Sequence, residues 1–455
     1  MSKPVNNTDL GTGSIPKLMV KMAVPTVVAQ VVNLLYNIVD RIYIGQGVGA
    51  LALTGVGLCG PLMLFMNAFA MLAGSGGAPR AAIAMGRGDK DAAEKILGNC
   101  FSMLLLCAAG ITVFFLVAGE SLLTMFGASA DTLPYAMEYM NIISWGAVFN
   151  LIVMGLNNYL TTQGFSSFAM MTTLIGAGIN IVLDPVLIFV FDMGVAGAAL
   201  ATVISQAVGA VWVLWFLTRG KKSVLKIKLP NMKLEGRVIG PCLALGISGF
   251  VMVATESLLS ISFNSSLQRF GGDLAVGSMT ILTSCSQLAS MPASGIATGC
   301  QPITGFNFGA GKIDRVKKCF YLQLAAAAGY TTLFWAASML IPQVFVQLFN
   351  KDAALVEHTV WAMRIYMAGI FSLGFQLTCQ QSFIALGQAK ISLVMACLRK
   401  LILLIPLIFI LPLFFQDKVF AVFLAEPVSD IIAASVTTGT FFSRFDRILK
   451  SGPQR

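Results

Sequence analysis

The sequence predicts an all-α polytopic membrane protein with twelve transmembrane helices in two six-helix bundles that are related by an internal repeat. Of the 455 residues, 57% are hydrophobic and only 11% are charged, whereas soluble globular domains have about 25% charged residues. Apolar runs that reach the length of a membrane span, about 20 residues, recur along the whole chain. This composition excludes a water-soluble fold.

The ends of the apolar runs are marked by Gly, Pro and charged residues, which set the approximate limits of each span. The predicted spans are 17–39, 52–78, 97–118, 134–159, 168–190, 195–217, 239–264, 275–300, 319–341, 359–385, 391–414 and 419–442. The N-terminal residues are polar and lack the apolar core of a signal peptide. We therefore expect the first hydrophobic stretch to stay in the mature protein.

The 30 Lys and Arg residues are distributed unevenly among the predicted loops. If the N-terminus is cytoplasmic, nearly all of them lie on or near the cytoplasmic side, as the positive-inside rule requires. The exceptions are Arg41, Arg269, Lys351, Arg364 and Lys418. We expect a multi-pass protein of the inner (cytoplasmic) membrane with both termini in the cytoplasm. Because the formal charge of +10 comes from these loops, we expect contact with membrane lipid and no nucleic-acid partner.

The two halves of the sequence match at an offset of 223 residues without a gap. The matched pairs include Gly49 and Gly272, Pro79 and Pro302, Gly88 and Gly311, Asp91 and Asp314, Lys95 and Lys318, Phe126 and Phe349, and Gly164 and Gly387. Six spans in each half make the repeats parallel in the membrane. We expect an N-terminal six-helix lobe at 1–217, a basic cytoplasmic linker at 218–237, and a C-terminal six-helix lobe with a short tail at 238–455.

Five carboxylates fall within the predicted spans or at their ends: Asp40, Asp184, Glu256, Glu426 and Asp430. Each costs about 2.5 to 3.5 kcal/mol at a helix centre, so each needs water, a partner, a proton or a cation. Few bases are available to pair with them. Arg399 and Lys400 lie inside span 11, precede it, or extend toward the cytoplasm. We expect His358, the only His, to be a solvated loop residue near the outer face.

Polar residues from three spans are predicted to converge in the outer half of the N-terminal lobe. With a rise of about 1.5 Å per residue, Asp40, Asp184 and Thr202 lie at similar depths. Asn180 shares a helix face with Asp184, and Ala198 with Thr202, because each pair is four residues apart. The proline after Asp184 frees a carbonyl that a cation, water or hydroxyl can satisfy. The alternative is a kinked helix whose polar residues satisfy one another.

Several segments resemble one transporter family. Residues 25–45, PTVVAQVVNLLYNIVDRIYIG, resemble the first helix of the multidrug and toxic compound extrusion (MATE) family. Residues 176–189, GAGINIVLDPVLIF, resemble the fifth-helix signature of its DinF and MepA-like branch, and the following GVAGAALATVIS resembles the sixth helix. Residues 301–312, QPITGFNFGAGK, are similar to the end of the eighth helix. With the repeat, the resemblance covers nearly the whole chain and implies a MATE-like fold.

The resemblance implies a secondary-active, cation-coupled antiporter, not an enzyme, that exports cationic or amphiphilic organic compounds by alternating access. The residues that would couple transport to the cation are Asp40, Asn180, Asp184, Thr202 and, through its backbone carbonyl, Ala198. A sodium ion would be held by Asp40, Asn180, Asp184 and Thr202. The candidates for the substrate cavity are Gln30, Asn33, Tyr36, Glu256, Glu426 and Asp430. We expect a monomer without a cofactor.

The coupling ion is H⁺ or Na⁺, and the sequence favours H⁺. Two neighbouring carboxylates in a low-dielectric site resist double ionisation, so a proton or a cation must accompany them. Glu256 lies where sodium-coupled relatives carry a carboxylate in the C-terminal lobe. Span 10, however, has no Asp between residues 363 and 385 to complete such a site.

Other functions fit the sequence less well. The tetrapeptide GRGD at 86–89 matches the GxGD of intramembrane aspartyl proteases but lies in a predicted basic loop. A single His excludes an HExxH zinc site, and the loop at 305–312 is not a P-loop. The nearest alternative is a flippase for lipid-linked oligosaccharides from the same superfamily. Such proteins usually have cationic cavities, whereas the five acids and the Met-rich spans here favour organic cations.

Overall fold

Helices joined by short loops make up most of the chain that the structure, a computed structural model, describes, residues 7–349 and 352–452, and no strand occurs in those ranges. The α-helices are α1 (Asn7–Thr12), α2 (Ile15–Gly47), α3 (Ala50–Gly86), α4 (Lys90–Met125), α5 (Leu133–Thr162), α6 (Ser166–Pro185), α7 (Gly194–Arg219), α8 (Gly236–Gly309), α9 (Ile313–Leu340), α10 (Pro342–Gln347), α11 (Ala353–Tyr366), α12 (Leu373–Ala385), α13 (Ala389–Cys397), α14 (Ile405–Ile410) and α15 (Lys418–Ser451). Val186–Val190 and Leu398–Leu404 are π-helical, and Leu229–Met232, Met367–Ser372 and Leu411–Leu413 are 3₁₀ turns.

These helices confirm the predicted spans. Ten segments within the described ranges are long and apolar enough to cross a membrane. One of them, α8, is 74 residues long and kinks at Gly272, where φ is 63° and ψ is −159°, so it holds two predicted spans. The 28-residue helix α9 matches the ninth predicted span. The described residues therefore contain the twelve predicted membrane helices, with α11 and α12 sharing the tenth and α13 and α14 the eleventh.

The internal repeat is visible in the backbone. A positive φ is costly for most residues and cheap for glycine, and it recurs at matched positions in the two halves. The pairs are Gly49 (φ 115°) and Gly272 (63°), Gly88 (81°) and Gly311 (70°), and Gly164 (88°) and Gly387 (72°). Each pair lies at or beside a break between successive helices. The predicted repeat is confirmed.

Two large hydrophobic cores correspond to the two predicted bundles. One joins α3, α4, α5 and α7 around large buried side chains such as Phe115, Tyr159 and Phe216. The other joins the central part of α8 to α11 and α15, around residues such as Met363 and Phe423. Inside both cores the packed aliphatic and aromatic side chains hold the helices in place. The domain limits at 217 and 238 stay a prediction.

The bundles touch closely at the end that carries the predicted cytoplasmic loops. A Cβ atom on Gly86 would lie 2.0 Å from the backbone oxygen of Phe306, and one on Gly309 would lie 2.1 Å from that of Ile83. The repeat relates these two contacts, because Ile83 and Gly86 correspond to Phe306 and Gly309 in the second half. Only glycine permits this approach, so the backbones of α3 and α8 meet here.

Two segments at the same end cross from one bundle to the other. Before α2, the backbone oxygen of Gly13 accepts a hydrogen bond from Arg315 of α9 at 2.7 Å. Before α8, the backbone oxygen of Asn231 accepts one from Asn99 of α4 at 3.0 Å, and Asn99 accepts another from the N–H of Glu235 at 2.7 Å. Each bundle is thus held to the other by the segment that precedes its first membrane helix.

Candidate functional site

The structure brings the predicted coupling residues of the N-terminal lobe together. Asn180 of α6 donates hydrogen bonds to Asp184 at 3.2 Å and to Thr202 of α7 at 3.4 Å. The carboxyl groups of Asp184 on α6 and Asp40 on α2 lie close enough to interact electrostatically. All four side chains are buried. We call Asp40, Asn180, Asp184 and Thr202 the N-lobe cluster.

Two tyrosines border the N-lobe cluster. Tyr139 of α5 is buried and lies beside Thr202. Tyr36 of α2 lies close to both Asp40 and Asp184. Tyr36 was predicted from the sequence, but Tyr139 was not, because nothing in the local sequence of α5 indicates which of its side chains faces α7.

The backbone next to Asp184 departs from the α-helix. Pro185 ends α6, and the π-helical turn Val186–Val190 follows it. Proline has no N–H group to donate, and π-helical turns inside helices often occur at functional sites. Ala198 is fully buried in α7, one turn before Thr202. Whether its carbonyl contributes a ligand stays a prediction.

The N-lobe cluster has the donor set of a proton or sodium site. Two carboxylates in contact repel each other unless a proton or a cation is present. The Oδ1 atom of Asn180 is buried and has no hydrogen-bond partner among the described residues, so a cation or water can use it. Oxygen atoms of carboxylate, amide and hydroxyl groups are suitable ligands for a hard cation. The donor set of the cluster therefore suits a proton or a sodium ion.

A cavity of about 270 Å³ lies between α2, α5, α6 and α7. The predicted residues Gln30, Asn33 and Tyr36 all line it. The other lining residues are amides, hydroxyls, methionines and small residues, and none of them is charged; they include Met71, Asn150, Met154, Asn157, Asn158, Met170, Thr173 and Gln206. Tyr36 belongs to this lining and also borders the carboxylate pair. The cavity and the N-lobe cluster therefore share a wall.

The other three predicted carboxylates do not line this cavity and form a second group in the C-terminal lobe. Arg399 donates to Asp430 at 2.7 Å and to Glu426 at 3.2 Å. Lys400 forms an ion pair with Glu256. Both bases belong to the π-helical turn Leu398–Leu404, well inside the eleventh membrane helix. The sequence left three placements open for these two bases: inside span 11, before it, or extending toward the cytoplasm. The structure places both inside the span, where both form ion pairs. We call these five residues the C-lobe ion network.

His358 is placed differently from the expectation. It lies in the second turn of α11, where its Nδ1 atom is 2.8 Å from the hydroxyl of Ser278, and its ring contacts Trp361. It is therefore half-buried in helix packing and not a solvated loop residue. The sequence could not show this, because the start of α11 was predicted too late.

The comparison with known families decides the assignment. The family model MatE matches residues 25–186 and 249–410, one range in each repeat. The chain belongs to the MatE family. This confirms the resemblance that the first, fifth, sixth and eighth helices indicated. The double match also agrees with the two repeated bundles of the structure.

Curated relatives and solved structures of MatE proteins are similar to the chain over most of its length. Multidrug export protein MepA of Staphylococcus haemolyticus (strain JCSC1435) is 24% identical over 422 residues, which cover 92% of each chain. The protein of the same name from Staphylococcus aureus (strain NCTC 8325 / PS 47) is 24% identical over 424 residues, with 92% of each covered. A structure described as "Crystal structure of MATE in the bent conformation" has a TM-score of 0.92 at 24% identity, and covers 99% of each chain. This last similarity shows the fold alone.

Proposed function

We propose that this MatE protein is a secondary-active antiporter that exports cationic or amphiphilic organic compounds. The observation that carries the proposal is the shared wall between the carboxylate pair and the cavity, which Tyr36 forms. A cation at Asp40 and Asp184 can thereby influence what the cavity holds. The MepA relatives are named as multidrug export proteins, which supports the substrate class.

The cavity suits flat, amphiphilic molecules of varied shape. Methionine side chains such as Met71, Met154 and Met170 are flexible and polarizable and adapt to different ligands. The amides of Asn157 and Asn158 offer donors and acceptors without a fixed charge. The negative charge needed to attract a cation comes from the neighbouring Asp40 and Asp184.

Coupling would work through α2. Asp40 lies on α2, and Asp184 on α6, so the proton or cation between them determines how the two helices attract each other. Helix α2 packs against α6 on one side and against α8 on the other. A change of occupancy at the N-lobe cluster therefore acts on the helix that lies between the two bundles. The proposed cycle exchanges a bound cation for substrate by alternating access.

We favour H⁺ over Na⁺ as the coupling ion. In the C-terminal lobe the carboxylate that resembles a sodium ligand, Glu256, has Lys400 as its partner. Span 10 supplies no acid to add to it. The N-lobe cluster is then the site where an external cation is needed, and a single proton shared by two carboxylates meets that need.

The proposal places the protein in the inner membrane with both termini in the cytoplasm. The charge of the loops supports this orientation. The close contact at Gly86 and Gly309 then closes the cytoplasmic side, and the cavity belongs to an outward-facing form. We further propose that the protein acts as a monomer, with lobes at 1–217 and 238–455 joined by the linker 218–237.

Transport in proteoliposomes tests the function. Purified protein should move ethidium when an ion gradient is imposed and ATP is absent. It should not translocate a fluorescent lipid-linked oligosaccharide. Translocation of the oligosaccharide without dye transport would reject the proposal in favour of a flippase. Dye movement that needs ATP and survives collapse of every ion gradient would also reject it.

A further inference from the structure

The C-lobe ion network has more acids than bases. Three carboxylates, Glu256, Glu426 and Asp430, share the two cations Arg399 and Lys400. If all five are ionised, the network carries one uncompensated negative charge. Inside a membrane protein such a charge needs water or an external cation.

The uncompensated charge is accessible at one residue. The side chain of Glu256 is 54% exposed, whereas those of Glu426 and Asp430 are 11% and 3% exposed. Lys400 is only 7% exposed. The group that a ligand can reach is therefore the carboxylate of the Glu256–Lys400 pair, and such a ligand must be a cation.

The network lies where the repeat predicts a cavity. An offset of 223 residues relates Glu256 to Asn33 and Lys400 to Ala177. Both Asn33 and Ala177 line the cavity of the N-terminal lobe. The C-terminal lobe thus has an ion pair at the positions that enclose the open, uncharged cavity in the other lobe.

Lys400 has other hydrogen-bonding and electrostatic partners that stay available when a ligand binds Glu256. Its Nζ atom also donates to the backbone oxygen of Met252 at 2.7 Å. The carboxylate of Glu426 is close enough to interact with it electrostatically. Arg399, by contrast, bonds two buried carboxylates at once and has no comparable freedom.

We propose that Lys400 is an internal competitor of the transported cation, and that Glu256 accepts the cationic nitrogen of an organic substrate when Lys400 withdraws. The proposal rests on the proposed export of organic cations and adds a second contact site to it. In the empty protein Lys400 neutralises Glu256. In the loaded protein the substrate does so, and Lys400 keeps its hydrogen bond to Met252 and turns toward Glu426. A permanent internal cation also keeps Glu256 from holding a substrate too tightly to release.

Equilibrium binding of ethidium to the purified full-length protein, followed by dye fluorescence without any gradient, tests this proposal. Lys400→Met removes the competitor and should tighten binding about tenfold, which corresponds to 1.4 kcal/mol. Glu256→Gln should weaken binding at least fivefold. The double variant should bind like Glu256→Gln alone, because the gain from Lys400→Met needs the carboxylate. Lys221→Met, an exposed linker position, is the matched control and should bind like the wild type.

Two further variants keep the test decisive if Lys400→Met does not fold. Lys400→Gln removes the charge with a polar side chain and should also tighten binding, whereas Lys400→Arg retains the charge and should not. Unchanged affinity in the neutral variants, or a gain that persists without Glu256, would overturn the competitor role even if the wild type exports dye. Absence of dye binding in every variant would overturn both this inference and the proposed function.

Discussion

Replacing Gly309 by Ala places a methyl group at the point where α8 meets α3. The new Cβ would lie 2.1 Å from the backbone oxygen of Ile83, whereas ordinary contact begins at 3.4 Å. The two helices must therefore move apart by roughly the difference between these two distances. Overpacking of this kind costs about 1 to 3 kcal/mol, and 1.4 kcal/mol changes an equilibrium tenfold. The strain is relieved when the two bundles move apart at the end that carries the predicted cytoplasmic loops. We therefore expect the conformation that is open at that end to become about tenfold more populated.

The rate of cysteine labelling in the cavity measures this change. Asn158, which lines the cavity, is replaced by Cys, and a membrane-impermeant maleimide is added on the cytoplasmic side of vesicles. The chain with only its nine native cysteines gives the background. Labelling should be about tenfold faster with Gly309→Ala, and also with the repeat-related Gly86→Ala. Gly329→Ala is the control, because its Cβ would meet no atom within 4 Å. Equal labelling rates in all three variants would refute the reasoning.

Two other predictions concern topology and the C-lobe ion network. A cysteine at Lys222 should be labelled from the cytoplasm and one at Asp131 from outside, and labelling of both from one side would contradict the orientation. Arg399→Met leaves two buried carboxylates without their counter-charge, so we expect a loss of about 3 to 5 kcal/mol in stability. Lys400→Met leaves only the half-exposed carboxylate of Glu256 without a partner and should cost much less. Thermal unfolding in detergent compares the two variants, and a similar loss for both would contradict this difference.

The sequence predicted the membrane helices well because hydropathy depends on local composition. Gly272, where α8 kinks, lies between predicted spans 7 and 8, and the repeat matches it with Gly49, which lies between spans 1 and 2. The convergence of Asn180 with Asp184 was predictable from their spacing of four on one helix face. Their contact with Thr202 required only similar depth in adjacent helices.

The rest depended on packing that no local pattern shows. The contact of Tyr139 with Thr202 arises from the orientation of α5 relative to α7. Arg399 pairs with α15 and Lys400 with α8. Which helices lie beside these two neighbouring residues is set by tertiary packing. The sequence therefore showed which charged residues the C-terminal lobe contains, but it did not show which of them form ion pairs.

Export driven by a pH gradient tests the central claim, that the Asp40–Asp184 pair couples transport to a cation, most directly. Proteoliposomes without sodium receive an imposed pH gradient, and ethidium transport is followed by fluorescence. The wild type should transport the dye. Asp40→Asn and Asp184→Asn should each abolish gradient-driven transport but retain dye binding, because Asn keeps the shape and cannot exchange a proton. The loop variant Asp131→Asn should transport like the wild type. Full transport by the Asp40→Asn, Asp184→Asn double variant would contradict the account, and a strict requirement for sodium would contradict the proton as coupling ion.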